Sequence, residues 1–364
     1  FTGLSPKTLP EQYTWSGMGG WFGSELKFAG YDGLIIEGKA EKPTYVYIED
    51  GNVQFLSAEK LWGQYVHETQ EMLEAVHGKD VKSIVIGPAG ENLVLYSCIV
   101  SNERVSGRGG TGAVMGWMRL KAVCASGNKE VPVHDKEKMV KHTRKWFRYL
   151  REHPLTGNQL PRLGTAGLVS AMQMKHILST KNYTYGQYDE FEKVSGEELA
   201  EKYNIVNKGC LTCPIRCART VEVNGQQVKG PELETLVLLG GGILNDNLES
   251  ILKWNYELDE LGMDTYAMEA NEKGLWDNGL KFSETAELSQ IFEDIAFRRG
   301  IGDELALGSK RLSEKYGGKE FAIHAKGMEL AAYEPRRAAG LGLGYATSNR
   351  GGCHLNGGYL VILE

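Results

Sequence analysis

Two periods divide the chain. Between residues 30 and 130 the apolar positions come in short, branched runs: "YDGLIIEGKA" (31–40) and "VKSIVIGPAG" (81–90) both carry one and end at or near glycine. "TYVYIEDGNVQFLSA" (44–58) alternates apolar and polar positions on both sides of Asp50-Gly51. These patterns predict strands, and the last a hairpin closed at Asp-Gly. From about residue 135 the spacing becomes helical, in "DKEKMVKHTRKWFRYLREH", "NLESILKWNYELDELG", "SETAELSQIFEDIAFRRG" and "DELALGSKRLSEKYGG". Ser195-Gly-Glu-Glu198 supplies a capping box, and Gly262, Gly300 and Gly317 stand where helices should stop.

A chain of 364 residues is larger than one ordinary core and predicts two or three domains. Its apolar fraction of 41% and charged fraction of 24% are those of a soluble globular protein. A net charge of -6 without basic clusters argues against nucleic acid or an anionic membrane as partner. No stretch has the length of a transmembrane helix, and the first residues lack the regions of a signal peptide, so the expected location is cytoplasmic. Six cysteines, three of them within eight positions, suggest a metal site in a reducing compartment rather than a disulfide framework. A start without Met and a strand-like end at "GGYLVILE" suggest a piece of something longer.

The candidate chemistry begins with "NKGCLTCPIRCART", where Cys210, Cys213 and Cys217 stand at C-x2-C-x3-C spacing. Thiolates in a tight turn grip iron or zinc, and Cys217 is placed to open a helix whose amides would favour a cluster's charge. A 4Fe-4S cluster then needs a fourth ligand from elsewhere; zinc is the alternative. Cys353 is a weak candidate for the fourth place, whereas Cys98 and Cys124 suit burial as small core residues. Glycine, 46 of 364 residues, concentrates at 16–23, 106–116, 239–243 and 340–358, as expected where backbone approaches a large polyanionic ligand. In "GRGGTG" the amides of Gly109 and Gly110 and the fork of Arg108 suit phosphate, and "GMGGWFG", with Gly19 and Gly20, suits a second nest. Asp259 and Asp264 flank a helix end at Gly262, where paired carboxylates would accept from a pterin-like heterocycle. Glu232 and Glu234 of "KGPELETL" would share a face on extended backbone, and one desolvated carboxylate there would move protons. His354, alone among eight histidines in a Gly-rich loop, suits acid-base work near neutral pH.

In this order and combination the segments "GGWFGSELKFAGYDGLIIEGKA", "IGPAGENLV", "RGGTGAVMG", "LPRLGTAGLV", "CLTCPIRC", "GPELE", "DELGMD" and "GLGYATSNRGGCH" resemble the tungsten-dependent aldehyde:ferredoxin oxidoreductase family over practically the whole chain. The resemblance implies an α+β fold: an N-terminal double β-sheet base domain (1–132), a mainly helical domain (133–323), and the start of a third, helical domain (324–364). It further implies a tungsten bis-pyranopterin with magnesium between its phosphates, a 4Fe-4S cluster, and oxidation of a small aldehyde to a carboxylic acid. Ferredoxin or another low-potential acceptor would take the electrons, and a homodimer or a complex with electron-transfer subunits is the expected assembly.

By position, the resemblance makes Cys210, Cys213 and Cys217 cluster ligands and puts Asp259 and Asp264 in the first pterin motif. Gly19, Gly20, Arg108, Gly109 and Gly110 would lie near the pterin phosphates, with Glu234 and His354 facing substrate. Three departures stand out. The second pterin motif, D-x-x-G-L-C, which supplies the fourth cysteine, lies beyond residue 364 in the family. Lys253 and Tyr256 fill places where some members carry Glu-x-x-His for a dimer-bridging metal, and Gly17 and Asn356 replace other residue types near the pterin. The alternatives are a same-cofactor relative that reduces carboxylic acids or aromatic acyl-thioesters, and a non-catalytic electron-transfer or scaffold subunit.

Overall fold

The computed structural model describes residues 1–8, 10–223, 225–257 and 265–356. Strands β1 (Thr2–Ser5) and β2 (Gln12–Trp15) form an antiparallel hairpin, and helix α1 (Phe22–Phe28) follows. Then come β3 (Thr44–Glu49), β4 (Asn52–Ser57), helix α2 (Val66–His77), β5 (Lys82–Val85) and the short helix α3 (Pro88–Glu91). Strands β6 (Ile99–Ser101) and β7 (Arg104–Ser106), helix α4 (Thr111–Trp117) and β8 (Leu120–Ser126) complete this part. The six strands order as β4-β3-β8-β5-β6-β7, antiparallel except for the β3–β8 pair. The Asp-Gly hairpin is as expected: Glu49 pairs with Asn52 while Asp50 and Gly51 take φ of 46° and 96°, the turn whose twist matches the strands.

The period-2 pattern places Val46, Ile48, Ile84 and Val123 on one face with Phe22 and Leu26 of α1. Tyr45, Tyr47, Val85 and Cys124 face the other way, onto Val66 and Leu73 of α2. Cys98 and Cys124 are buried in this second layer, as expected of small apolar residues. One sequence expectation fails here. Residues 31–40 form no strand, because only one side of the run packs: Leu34 meets the core while Ile35 is 91% exposed. Helices α2, α3 and α4 interleave the strands of this mostly β region.

The remainder is mainly helical. Helix α5 (Lys136–Glu152) is capped by Asp135, whose carboxylate accepts from the Lys138 amide; α6 (Leu160–Leu163) and α7 (Leu168–Met174) follow. Ser195 caps α8 (Gly196–Lys202) by accepting from the Glu198 amide at 3.1 Å. A three-stranded antiparallel sheet then interrupts the helices: β9 (Ile205–Lys208), β10 (Ala218–Val223) and β11 (Gln226–Lys229), with β10 central. Its strands are too short for their alternation to stand out in the sequence.

Helices α9 (Leu233–Leu239), α10 (Leu248–Glu257), α11 (Thr265–Glu272), α12 (Leu288–Phe297), α13 (Ile301–Leu305) and α14 (Ser309–Tyr316) lead to a two-residue hairpin, β12 (His324–Ala325) and β13 (Met328–Glu329), and to α15 (Ala339–Thr347). Gly317 ends α14 with φ of 89°, but Arg298 rather than Gly300 takes the left-handed position after α12; Gly300 opens α13 instead. Gly262 lies outside the described residues. The glycine-rich stretch from 340 is helical for its first half, because Leu341 and Tyr345 recur at i, i+4 and bury into the core shared by α8, α9, α10 and α12. Ala89 of α3 and Val94 just after it join a separate cluster with Ala267, Ile295, Leu305 and Leu312, which ties the sheet to the helices. Among the described residues no helix is long and apolar enough to cross a membrane.

Candidate functional site

The cysteines occupy the loop between β9 and β10, whose ends are fixed by the Lys208–Ala218 pairing. Within it the Cys213 amide donates to the Cys210 carbonyl at 3.1 Å, and Thr212 and Arg216 take left-handed φ of 57° and 52° to curl the backbone. All three cysteines are half-buried. The helix expected after Cys217 is absent, because Ala218 enters β10, whose ladder hydrogen bonds use the amides a helix start would have left free.

Donors to the thiols come from the β domain instead. The Gly20 amide donates to Cys210 Sγ at 3.2 Å, and a Cβ on Gly19 would lie 2.9 Å from the same sulfur. The Arg104 guanidinium, from the same domain, lies near enough to Cys217 for its charge to act on the thiol. Burial, and secondarily the Glu232 charge, push the Cys217 thiol up, while Arg104 pulls it down. Among the described residues no three His, Cys, Asp or Glu side chains converge on one point as a tetrahedral zinc ion requires. Half-buried thiols beside an amide donor and a guanidinium charge fit an iron–sulfur cluster, whose sulfurs are ordinarily hydrogen-bonded.

Glu232 and Glu234 do not share a face. The chain turns helical at Leu233, so Glu232 stands just outside α9, without a side-chain cap bond, while Glu234 lies in its first turn, and the two side chains diverge. Glu232 stays with the cysteines: it accepts from the Thr165 hydroxyl and lies 3.7 Å from Arg104. Beside it Arg219, 3% exposed, donates to the Cys217 carbonyl at 2.5 Å. Its guanidinium fills the space where a Cβ on Gly164 would lie, 0.8 Å from Nη2, and Gly164 has φ of 62°. Only glycine fits there.

Glu234 points to the other side of α9. One carboxylate oxygen accepts from the Ala332 amide at 2.8 Å, and the other faces His354 Nδ1 at 3.7 Å. Both facing atoms are buried and have no hydrogen-bond partner among the described residues. The surroundings are aromatic: the Tyr333 ring lies 5.8 Å from the imidazole, and the hydroxyls of Tyr183 and Tyr345 donate to the Ala331 carbonyl at 2.6 and 3.3 Å. Burial lowers the His354 pKa more than the Glu234 charge raises it, and Arg108 and Arg350 lower it further. The imidazole therefore faces Glu234 in its neutral form. Burial, with Glu234 a lesser cause, raises the phenols of Tyr183, Tyr333 and Tyr345.

Gly109 and Gly110, with φ of 86° and 70°, bring backbone against the β1–β2 hairpin and Leu95: added Cβ atoms would meet Thr14 Oγ1 at 2.5 Å and the Leu95 carbonyl at 2.1 Å. Arg108 donates to the carbonyls of Glu329 and Gly352, the latter at 2.7 Å. Arg350 stacks on Trp15, its guanidinium 4.1 Å from the ring centre, and donates to Cys353 Sγ at 2.5 Å. Cys353, fully buried, also accepts from the Leu355 amide at 3.3 Å and is thus engaged within its own loop. Nε of Arg108 and of Arg350 and the hydroxyls of Thr14, Ser106 and Thr111 are buried without partners among the described residues. Such orphaned donors fit an anionic group bound against this surface. Asp259 and Asp264 lie outside the described residues.

The structure thus brings Cys210 and Cys217 to Gly19, Gly20 and Arg104, and Glu234 to His354. Sequence reasoning missed Arg104, Thr165, Arg219, Arg350 and the three tyrosines, which no local spacing marks. The one signal was Gly164, set in the "LPRLGTAGLV" segment. A separate surface cavity of about 930 Å³, bounded by Tyr185, Tyr188, Asp246 and Arg336, shares none of these residues.

Residues 1–127 match the family model for the aldehyde ferredoxin oxidoreductase N-terminal domain, and residues 141–364 match that for domains 2 and 3. Tungsten-containing aldehyde ferredoxin oxidoreductases of Pyrococcus furiosus and Thermococcus kodakarensis are 44% and 42% identical, over 96% of this chain and 61% of theirs. The chain therefore spans about three-fifths of the length of these curated relatives. The active-site complex BamBC of benzoyl coenzyme A reductase superposes with a TM-score of 0.75 at 26% identity, covering 91% of this chain and 55% of that one.

Proposed function

The chain belongs to the aldehyde ferredoxin oxidoreductase family, and from that premise we propose that the whole protein oxidises an aldehyde to a carboxylic acid at a tungsten bis-pyranopterin. Electrons would leave through a 4Fe-4S cluster to ferredoxin or another low-potential acceptor. The observation that carries the reading is the Glu234–His354 pair: two proton-handling groups, buried, 3.7 Å apart, with their facing atoms unpartnered among the described residues. When bound, the metal–pterin group supplies two-electron oxidation and the cluster a one-electron exit.

The protein's own residues divide the remaining work. Cys210, Cys213 and Cys217 would hold the cluster. Arg108, Arg350, Gly109 and Gly110 form the surface against which the pterin phosphates and their magnesium would lie. Glu234, fixed by the Ala332 amide, receives the proton released by the aldehyde or its hydrate. Neutral His354 stands beside it as the second acceptor, and Tyr183, Tyr333 and Tyr345 keep water from the pair. We also place domain boundaries near residues 132 and 323.

The test is elemental analysis of the full-length protein purified without oxygen, followed by aldehyde and aromatic acyl-thioester panels. Tungsten or molybdenum with iron, and turnover of aldehydes, are expected. Absence of these metals overturns the proposal, and turnover of the thioesters alone reassigns the chemistry.

A further inference from the structure

Arg104 belongs to β7 in the β domain, yet its guanidinium serves the helical part. It lies 3.7 Å from Glu232 Oε1, and its charge reaches the Cys217 thiol. The Glu232 carboxylate is held from its far side by the Thr165 hydroxyl, whose oxygen in turn accepts the Leu233 amide at 3.1 Å. Gly20, with φ of 101°, makes room for the arginine: a Cβ there would come within 3.3 Å of Arg104 Cγ. A segment that donates to Cys210 therefore also seats the cation beside Cys217. Neither charged side chain is fully buried, at 21% and 31% exposure, so stability alone gives such a pair little purpose.

We propose that Arg104 and Glu232 are a positioning pair that sets the reduction potential of the centre held by the cysteine loop. The inference rests on assigning Cys210, Cys213 and Cys217 to a 4Fe-4S cluster. Reduction adds one electron and no proton, so the reduced cluster carries one more negative charge. A fixed cation beside the ligating sulfurs stabilises that state and raises the potential. The Glu232 carboxylate opposes it, and by sharing the guanidinium it limits how fully the charge of Arg104 acts on Cys217.

The experiment is a dithionite titration of the full-length, anaerobically purified protein, followed by electron paramagnetic resonance, for wild type, Arg104→Ala, Arg104→Lys and Glu232→Gln. Arg104→Ala should lower the midpoint and Glu232→Gln should raise it. Each shift should be about a tenfold change in the reduced-to-oxidised ratio at fixed potential, about 59 mV for one electron. Arg104→Lys, which keeps the charge but not the planar fork, should fall between wild type and Arg104→Ala. If Arg104→Ala does not assemble a cluster, opposite shifts in Glu232→Gln and Arg104→Lys carry the test. A cluster whose potential stays put, or moves the same way in all variants, overturns this proposal alone. A wild-type protein with no cluster signal overturns it together with the functional reading beneath it.

Discussion

Two carboxylates two residues apart, Glu232 and Glu234, stand in opposite electrostatic settings. Glu232, outside the first turn of α9, meets Arg104, the Thr165 hydroxyl and the edge of the cysteine loop. Glu234, inside that turn, meets one backbone amide, a neutral imidazole and a wall of tyrosines. The first carboxylate is set against a fixed cation, the second against an uncharged partner in an aromatic wall. The start of one short helix thus separates an ion-paired side, at the thiols, from an aromatic side that holds Glu234 and His354.

The contrast can be broken most severely at Glu234. Glu234→Gln keeps the shape and the oxygen that accepts from Ala332 but removes the proton acceptor, so turnover should fall by roughly 10²- to 10⁴-fold. Metal content should be unchanged, which steady-state kinetics and elemental analysis together would check. Turnover within a factor of two of wild type would remove Glu234 from proton transfer.

His354→Gln gives the next largest effect, about 10²-fold in kcat/KM, with a changed pH profile. The wild-type imidazole, kept neutral by burial, becomes protonated only below the ordinary histidine value of 6.5, so the acid limb should lie below that pH. The variant should lack that limb; an unchanged one assigns it to another group. Stability follows the same sign. The folded pKa lies below the unfolded one, so the unfolded chain binds the extra proton first. Melting temperature should then decline as pH falls below about 6.5 and level off below the folded value, with His77 and His324, also lowered chiefly by burial, contributing.

Gly19→Ala should break the other side alone. Its Cβ, 2.9 Å from Cys210 Sγ, displaces the thiol, so iron content should fall while tungsten is retained. Equal loss of both metals would show that the two sides are not separable. The smallest effect belongs to Tyr183→Phe, which removes the 2.6 Å hydrogen bond to Ala331 while Tyr345 still donates there. About 1 kcal/mol of stability should be lost, measurable by denaturant unfolding.

Legibility in the sequence follows the range of the interaction. The Asp50-Gly51 hairpin, the Ser195 cap and β5 before its glycine were readable because each depends on neighbours within a few residues. So was the cysteine loop, whose spacing carries its own chemistry. The false strand at 31–40 shows the limit: its residues have strand-forming character, but Ile35 finds nothing to pack against. The shared face assumed for Glu232 and Glu234 failed for a related reason. Whether a turn of helix begins between two residues depends on what buries Leu233 and Leu236, and those partners lie far along the chain.

The amino-acid sequence by itself determined the β-then-α order, the loop that carries the three thiols, and the glycines at which backbone must pass closely, and it marked Glu234 and His354 as candidates. These are properties of local period, side-chain chemistry and backbone freedom. Only the tertiary structure decided that Arg104 stands at Cys217, that Arg219 lies under Gly164, and that Glu234 meets His354, 120 positions away, inside an aromatic wall. The physical reason is that a charge or a thiol acquires its working properties from the dielectric and the partners around it, and those are assembled from segments that no local pattern connects.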